Sequence, residues 1–208
     1  MNKKKYWDLF YKTKVNKIKL NHPSQFAIFT IGEAENITSL VEFGCGNGRD
    51  ALFFADHFKK VYALDGSNEA INKNKKQYSK INNLKFLKFN LNDKFDKHQI
   101  LSNEKKAIYA RFFLHALTNN EIKLFISLCA DLLKKNELLY IEYRTEKDKK
   151  RHKETHKHYR NFISPNFINK LLKQFNLKNL YFVKGLGFAK YKDDDAFVAR
   201  HIIEKNDI

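Results

Sequence analysis

Three of the chain's seven glycines, Gly44, Gly46 and Gly48, stand within five residues, between the apolar run Ile37–Phe43 and the amphipathic stretch Arg49–His57. Glycine gathers where a backbone must turn sharply or pass close to a ligand. A strand that ends in such a bend and feeds a helix points to α/β architecture, because open α/β sheets bind ligands in the crevice beyond strand ends of this kind. The rest of the sequence keeps the same rhythm. Further strands are expected at Lys60–Leu64, Leu84–Phe89, Lys106–Ala110 and Leu138–Tyr143, interleaved with helices at Asn68–Lys80, Asn119–Lys134 and Pro165–Gln174. Leu177–Lys184 and Ala196–Ile203 close the chain as two strands, read as an antiparallel hairpin. Strands alternating with helices predict a mostly parallel sheet.

Length and composition narrow the class. The 208 residues suit one domain with at most a small appendage, and 43% hydrophobic and 14% aromatic content excludes global disorder. No apolar run approaches the roughly 18 residues of a membrane span, and the opening MNKKKYWDLFYK lacks a secretory hydrophobic stretch, so a soluble cytoplasmic protein is expected. Cys45 and Cys129 are the two cysteines, too few and too far apart for a disulfide scaffold or a cysteine-rich zinc site. The net charge of +17 comes from 40 basic and 23 acidic side chains, with 34 Lys against 6 Arg. Such a surplus is either the solvated surface of a chain rich in Lys, Asn and Ile, or a field that attracts a polyanion. Specific phosphate grip leans on arginine forks, which favours the first reading.

The second strand, VYALD at residues 61–65, ends in Asp65. A carboxylate there can accept both hydrogen bonds of a ribose diol. The competing reading is an ordinary tight turn, with Asp65 capping the next helix. The glycines run G-x-G-x-G, unlike the nicotinamide-binding G-x-G-x-x-G, and Glu42 precedes the first by two positions. Together, VEFGCGNGRDALFFA and VYALD resemble the first two motifs of class I S-adenosylmethionine-dependent methyltransferases, over roughly residues 37–143. The resemblance implies a Rossmann-like, seven-stranded, mostly parallel sheet with an antiparallel C-terminal hairpin and helices on both faces. It implies S-adenosylmethionine as cofactor, with Glu42, Gly44, Cys45 and Gly46 lining its methionine part. Asp65 would hold the ribose hydroxyls with Gly66 and Ser67 beside it, while Asn90 would contact adenine and Leu91 would add a backbone or packing contact.

Methyl transfer from a sulfonium has a neutral leaving group, so the protein must mainly align the acceptor and, for an alcohol, remove its proton. A phosphate or carboxylate acceptor needs cationic positioning instead. IYARFFLHAL, residues 108–117, ends the fourth strand, where the resemblance implies that Phe112 and Phe113 wall the methyl site. Arg111 and His115 are its polar members, candidates to meet acceptor or cofactor. His115 reads equally well as a structural histidine at a helix start, whereas a buried arginine without function would be costly.

The stretch 143–160 holds Tyr143, Arg144, Arg151, His152, His156, His158, Tyr159 and Arg160, with three of the six Arg and three of the eight His. Interspersed lysines and the lack of a completing carboxylate argue against a metal. The expectation is a lid that grips an anionic acceptor through Tyr143, Arg144, His158, Tyr159 and Arg160, with a solvated loop as the alternative. His158 joins Arg111 and His115 as a catalytic candidate. Near the start, Tyr6, Trp7, Phe10 and Tyr11 form one aromatic helical face, which is either core or cover. Tyr11 and Gln25 are candidates to cover the cofactor, and Tyr6 to meet the acceptor. The expected plan is an N-terminal lid over 1–36 and a core over 37–208 that carries an acceptor-binding insertion at about 144–164.

The series YWDxFY, PSQFA, ARFFLHAL, EYRTEKD, HYR and GLGFAKYKDDDAFVAR also resembles small bacterial methyltransferases associated with surface-polysaccharide biosynthesis. That resemblance implies a phosphorylated or nucleotide-linked sugar acceptor. YWDxFY is similar to the opening of some transfer-RNA methyltransferases, which keeps RNA as an alternative. A non-catalytic cofactor-binding partner subunit is the alternative of another class.

Overall fold

The computed structural model describes residues 3–13, 22–93, 96–100, 104–154 and 159–206. Helices α1 (Lys3–Thr13) and α2 (Gln25–Glu33) precede strand β1 (Ser39–Phe43). Then follow α3 (Arg49–Ala55), β2 (Lys60–Asp65), α4 (Asn68–Gln77), β3 (Leu84–Lys88), β4 (Lys106–Arg111), α5 (Asn119–Leu132) and β5 (Leu138–Arg144). The chain closes with α6 (Pro165–Gln174), β6 (Leu177–Gly185), the short strands β7 (Lys190–Tyr191) and β8 (Asp194–Asp195), and β9 (Val198–Lys205). Seven strands form one sheet in the order β3-β2-β1-β4-β5-β9-β6, with β7 and β8 as a separate pair. The expected Rossmann-like, mostly parallel sheet is therefore observed. The antiparallel strand is β9, which lies between β5 and β6 and pairs antiparallel with both. The two final strands are joined by the longer connection 186–197, which carries β7 and β8.

The chain divides into two compact units, Met1–Lys106 and Ala107–Ile208. In the first, β1 is buried at every position, as a central parallel strand must be. β2 pairs parallel with β1 and β3, so that β1 and β2 end side by side. Ser67 caps α4 by accepting from the Ala70 amide, while Glu69 in the first turn and Lys75 and Lys76 in the last complement the helix dipole. Helix α2 gave no clear sequence signal, because QFAIFTIGE is apolar almost all round and shows no period. Ser24 starts it, and both its amide and its hydroxyl donate to Asp50 of α3 at 2.7 Å.

In the second unit, β5 pairs parallel with β4. A capping box of Thr118 and Glu121 opens α5, and its apolar period, Ile122, Phe125, Ile126, Cys129 and Leu132, is buried as the spacing predicts. Pro165 sits in the first turn of α6, where its missing amide hydrogen costs nothing.

Candidate functional site

All three glycines of the bend after β1 have left-handed backbone, with φ of 77° at Gly44, 55° at Gly46 and 75° at Gly48, which explains their residue type. The amides of Gly44 and Cys45 donate to the Leu64 carbonyl at 2.8 and 3.0 Å, fastening the bend to the end of β2. Asp65 turns its carboxylate into that bend. It accepts from the Gly46 amide at 2.9 Å and from the Ser67 amide at 2.8 Å. Asn74 of α4 secures the other side by donating to the Gly46 carbonyl at 2.8 Å. Burial raises the pKa of Asp65, opposed by the amide donors of Ser67 and Gly46, and the nearby Asp8 raises it further. Glu42 is buried on β1. Burial, then the charges of Asp65 and Glu42, push the Cys45 thiol up, which keeps it protonated.

Helix α1 reaches the same bend. Stacked i, i+4 ring pairs, Tyr6 on Phe10 at 6.2 Å and Trp7 on Tyr11 at 6.1 Å, organise its aromatic face. The Tyr11 hydroxyl lies so near Gly46 that a Cβ on that glycine would stand 2.5 Å from it. Burial, and then the charge of Asp65, raise the Tyr11 pKa well above its ordinary value, so the hydroxyl is protonated. Asp8 accepts from the Ser67 hydroxyl at 2.6 Å, and Lys73 donates to the Tyr11 carbonyl. Tyr11 thus joins Gly46, Asp65 and Ser67, whereas Gln25 is solvent-exposed at the start of α2. Asn90 packs on Gly66, where an added Cβ would stand 3.1 Å from its Oδ1, and it donates to Asp93 at 2.6 Å. Leu91 follows it, partly exposed. Beside the bend, a pocket of about 430 Å³ is lined by Tyr11, Asn47, Ala70, Lys73, Asn74, Lys76 and Gln77. A nucleoside carrying an amino acid fits this arrangement. The glycines put no side chain of their own into the bend and the carboxylate of Asp65 keeps accepting capacity beyond its two amides, while the Tyr11 hydroxyl, which lies over Gly46, is the group that must move aside for a ligand.

In the second unit, Arg111, Glu142 and Arg200 stand side by side in register across β4, β5 and β9. Glu142 accepts from Arg111 Nε at 2.9 Å and from Arg200 Nε at 2.7 Å. Phe112 follows at φ 54°, with the Arg111 guanidinium 4.3 Å and the Arg144 guanidinium 5.2 Å from its ring centre. His115 is buried in a single turn, Leu114–Ala116, ahead of α5, with its ring 5.2 Å from that of Phe112. Phe113 instead packs on Phe125 of α5 at 5.0 Å.

Tyr143 is fully buried and its hydroxyl lies 2.9 Å from His201 Nε2. Burial raises the Tyr143 pKa and lowers that of His201 to about 3, so the pair is neutral. Arg144 is 6% exposed. Its guanidinium donates to Asp148 at 2.7 Å and to both oxygens of Asp194 at 3.0 and 2.7 Å. Burial alone would lower the Arg144 pKa, but these two carboxylates outweigh it and the net shift is upward. Tyr143 and Arg144 are thus engaged within the unit. Tyr159 is half exposed and Arg160 partly so, and the next residue, Asn161, donates its amide to the His115 carbonyl at 2.7 Å. His156 and His158 lie outside the described residues. Among the described residues, no cluster of three His, Cys, Asp or Glu could hold a metal ion. Likewise, no helix among them is long and apolar enough to cross a membrane.

The sequence reading passed over Asp8, Asn74, Glu142, Asp148, Asp194 and Arg200. Glu142 carried a usable signal, as the lone charge in the apolar strand Leu138–Tyr143, where burial demands a partner.

A family model described as a methyltransferase domain matches residues 12–181. A search of curated proteins found no match. Among solved structures, the chain is similar to an S-adenosylmethionine-dependent methyltransferase from Anabaena variabilis, at 19% identity and a TM-score of 0.75, covering 99% of this chain and 96% of that one. The CcbJ methyltransferase from Streptomyces caelestis is 13% identical with a TM-score of 0.76, and each chain is covered over 100% of its length. The N-methyltransferase NodS from Bradyrhizobium japonicum, in complex with S-adenosylhomocysteine, is 13% identical with a TM-score of 0.72, covering 97% of this chain and 98% of that one.

Proposed function

This chain belongs to the methyltransferase-domain family and uses S-adenosylmethionine, and from that premise we propose that it O-methylates a small anionic acceptor. The acceptor is a phosphorylated or nucleotide-linked sugar, a precursor of surface polysaccharide, and the reaction belongs to the cytoplasm. The observation that carries the cofactor assignment is the carboxylate of Asp65 bonded into the glycine bend. In this reading Asp65 takes the ribose hydroxyls and Glu42, Gly44, Cys45 and Gly46 hold the methionine end. Gly66, Ser67, Asn90 and Leu91 flank the nucleoside. Residues 1–36 act as a lid, with Tyr11 and Gln25 as cofactor cover and Tyr6 toward the acceptor. When bound, S-adenosylmethionine supplies a methyl group on a positively charged sulfur.

For the acceptor, the support is the exposed cationic run Lys147, Lys149, Lys150 and Arg151 in the insertion 144–164. An anionic oxygen arrives without a proton to lose, so cationic positioning does most of the work. A hydroxyl needs a base, and His115 fills that role with His158 as the further candidate, while Arg111, four residues before His115, supplies positive charge. Tyr159 and Arg160 contact the acceptor, while Tyr143 and Arg144 support the wall from within. A second reading, methylation of RNA, is favoured by five exposed lysines on and after α4, Lys73, Lys75, Lys76, Lys80 and Lys85. Supplying labelled S-adenosylmethionine with phosphorylated sugars, nucleotide sugars and bulk RNA separates the two. The proposal expects label in a sugar, with a higher KM in Lys147→Glu/Lys150→Glu. Label in RNA with steep salt dependence would replace it.

A further inference from the structure

We propose that the groove between α4 and the end of α1 is a second ligand site, separate from the cofactor's, and that it takes the diphosphate of a nucleotide. The inference goes beyond the methyltransferase reading and holds whichever acceptor is methylated. The groove lies within the first unit and is the cavity of about 430 Å³ beside the glycine bend. Asn74 and Tyr11 form its wall toward the bend, Asn74 by donating to the Gly46 carbonyl and Tyr11 by lying over Gly46. Glu42, Asp65, Ser67 and Asn90, the cofactor's partners in the reading above, do not line it.

The charge of this groove is uncompensated. Lys73 and Lys76 stand three residues apart on α4, hence on one face of the helix, and both line the cavity. Lys80 follows, exposed, in the turn after the helix. Elsewhere exposed lysines lie beside acids, Lys60 by Glu104 and Lys178 by Glu204, each at 3.2 Å. Among the described residues, Lys76 and Lys80 meet no carboxylate. Lys73 donates to the Tyr11 carbonyl, which uses one of the three hydrogens of its ammonium. The one acid of α4, Glu69, does not line the cavity. Like charges so spaced disfavour a helix, and an anion seated between them relieves that cost.

Size and the remaining lining select the ligand. The cavity falls in the range of small-ligand pockets and is larger than a bare phosphate fills. Ala70 and the Tyr11 ring give it apolar surface, and the side-chain amides of Asn47 and Gln77 offer both donors and acceptors. Two neighbouring cations match two linked phosphates, while the apolar and amide wall matches a nucleoside. Lysine grips phosphate as a point charge, so no arginine fork is required. An RNA strand needs a groove that tracks its backbone onward. This cavity is instead bounded by α1, whose end Lys73 ties to α4, and Lys75 and Lys85 stand outside it.

The test uses full-length protein saturated with S-adenosylhomocysteine, so that the cofactor site is filled, in about 0.15 M sodium chloride. Uridine diphosphate, uridine, pyrophosphate and a twelve-nucleotide oligouridylate are titrated by calorimetry, and lysine acetylation read by mass spectrometry locates the site. Uridine diphosphate should bind at least tenfold more tightly than uridine and at least threefold more tightly than pyrophosphate. It should also protect Lys73 and Lys76 from acetylation. Lys76→Glu should weaken it at least tenfold, and Lys76→Arg should stay within threefold of wild type. Lys123→Glu, the same charge change at an exposed lysine of α5, should stay within twofold. No binding of uridine diphosphate, equal binding of uridine or pyrophosphate, protection confined to other lysines, or unchanged affinity in Lys76→Glu would overturn the proposal. Oligouridylate binding at least tenfold more tightly than uridine diphosphate, with Lys75 and Lys85 protected as well, would overturn it in favour of RNA. Failure of S-adenosylhomocysteine to bind would strike the methyltransferase reading instead, and the same titrations would still decide this site.

Discussion

Replacing Gly46 with alanine probes how closely α1 seals the glycine bend. Two costs are expected. The backbone at Gly46 has φ 55°, and left-handed geometry costs a residue with a Cβ about 1–2 kcal/mol. The new Cβ would also stand 2.5 Å from the Tyr11 hydroxyl, where ordinary contact begins at 3.4 Å. The hydroxyl must retreat, with a loss of packing and hydrogen bonding on the order of 1 kcal/mol. Gly46→Ala should therefore destabilise α1 and its contacts by about 2–3 kcal/mol. In a Tyr11→Phe background the oxygen is gone, and the next ring atom, Cζ, stands at 3.4 Å, an ordinary contact. Only the backbone cost of about 1–2 kcal/mol should then remain, giving a coupling of about 1 kcal/mol between the two substitutions. Trp7 is the chain's single tryptophan and lies on α1 against Tyr11, so its fluorescence in urea follows this helix directly. Strictly additive substitutions would show that Tyr11 does not lie over Gly46, and the account of α1 as a cover would fall.

Two further predictions concern the second unit. Arg144→Met should cost about 3–5 kcal/mol in urea unfolding, because Asp148 and Asp194 are left buried and facing each other; Arg144→Lys should recover part, and near-wild-type stability of the methionine variant would refute the network's role. His201 has its pKa lowered by burial to about 3 against an ordinary 6.5, so its contribution is full above pH 6.5 and is lost as pH falls toward 3. Between pH 6.5 and 4 the loss should be on the order of 3 kcal/mol, and His201→Gln should flatten that part of the stability profile; an identical slope in both proteins would contradict it.

Much of this was legible in the residues. The glycine spacing and Asp65 pointed to one bend, because φ > 0 and a carboxylate at a strand end each demand a particular residue type. The hydrophobic periods located β1 to β5 and α5, since burial enforces them. What stayed hidden were partnerships between residues distant in sequence. Arg144 reads as a surface cation in a basic stretch, yet Asp194, fifty residues later, draws it inside. The β7–β8 pair is too short for any period to register. Asp8 and Asn74 look like solvated polar residues until the fold brings them to Ser67 and Gly46.

The central claim is that Asp65, at the glycine bend, holds the cofactor's ribose. Calorimetry of S-adenosylhomocysteine binding to wild type and Asp65→Ala tests it most directly, with Trp7 fluorescence confirming that α1 stays folded. Removal of two hydrogen bonds to a charged group predicts a loss of about 3 kcal/mol, roughly a hundredfold in affinity. Affinity within threefold of wild type in a folded variant would contradict the account.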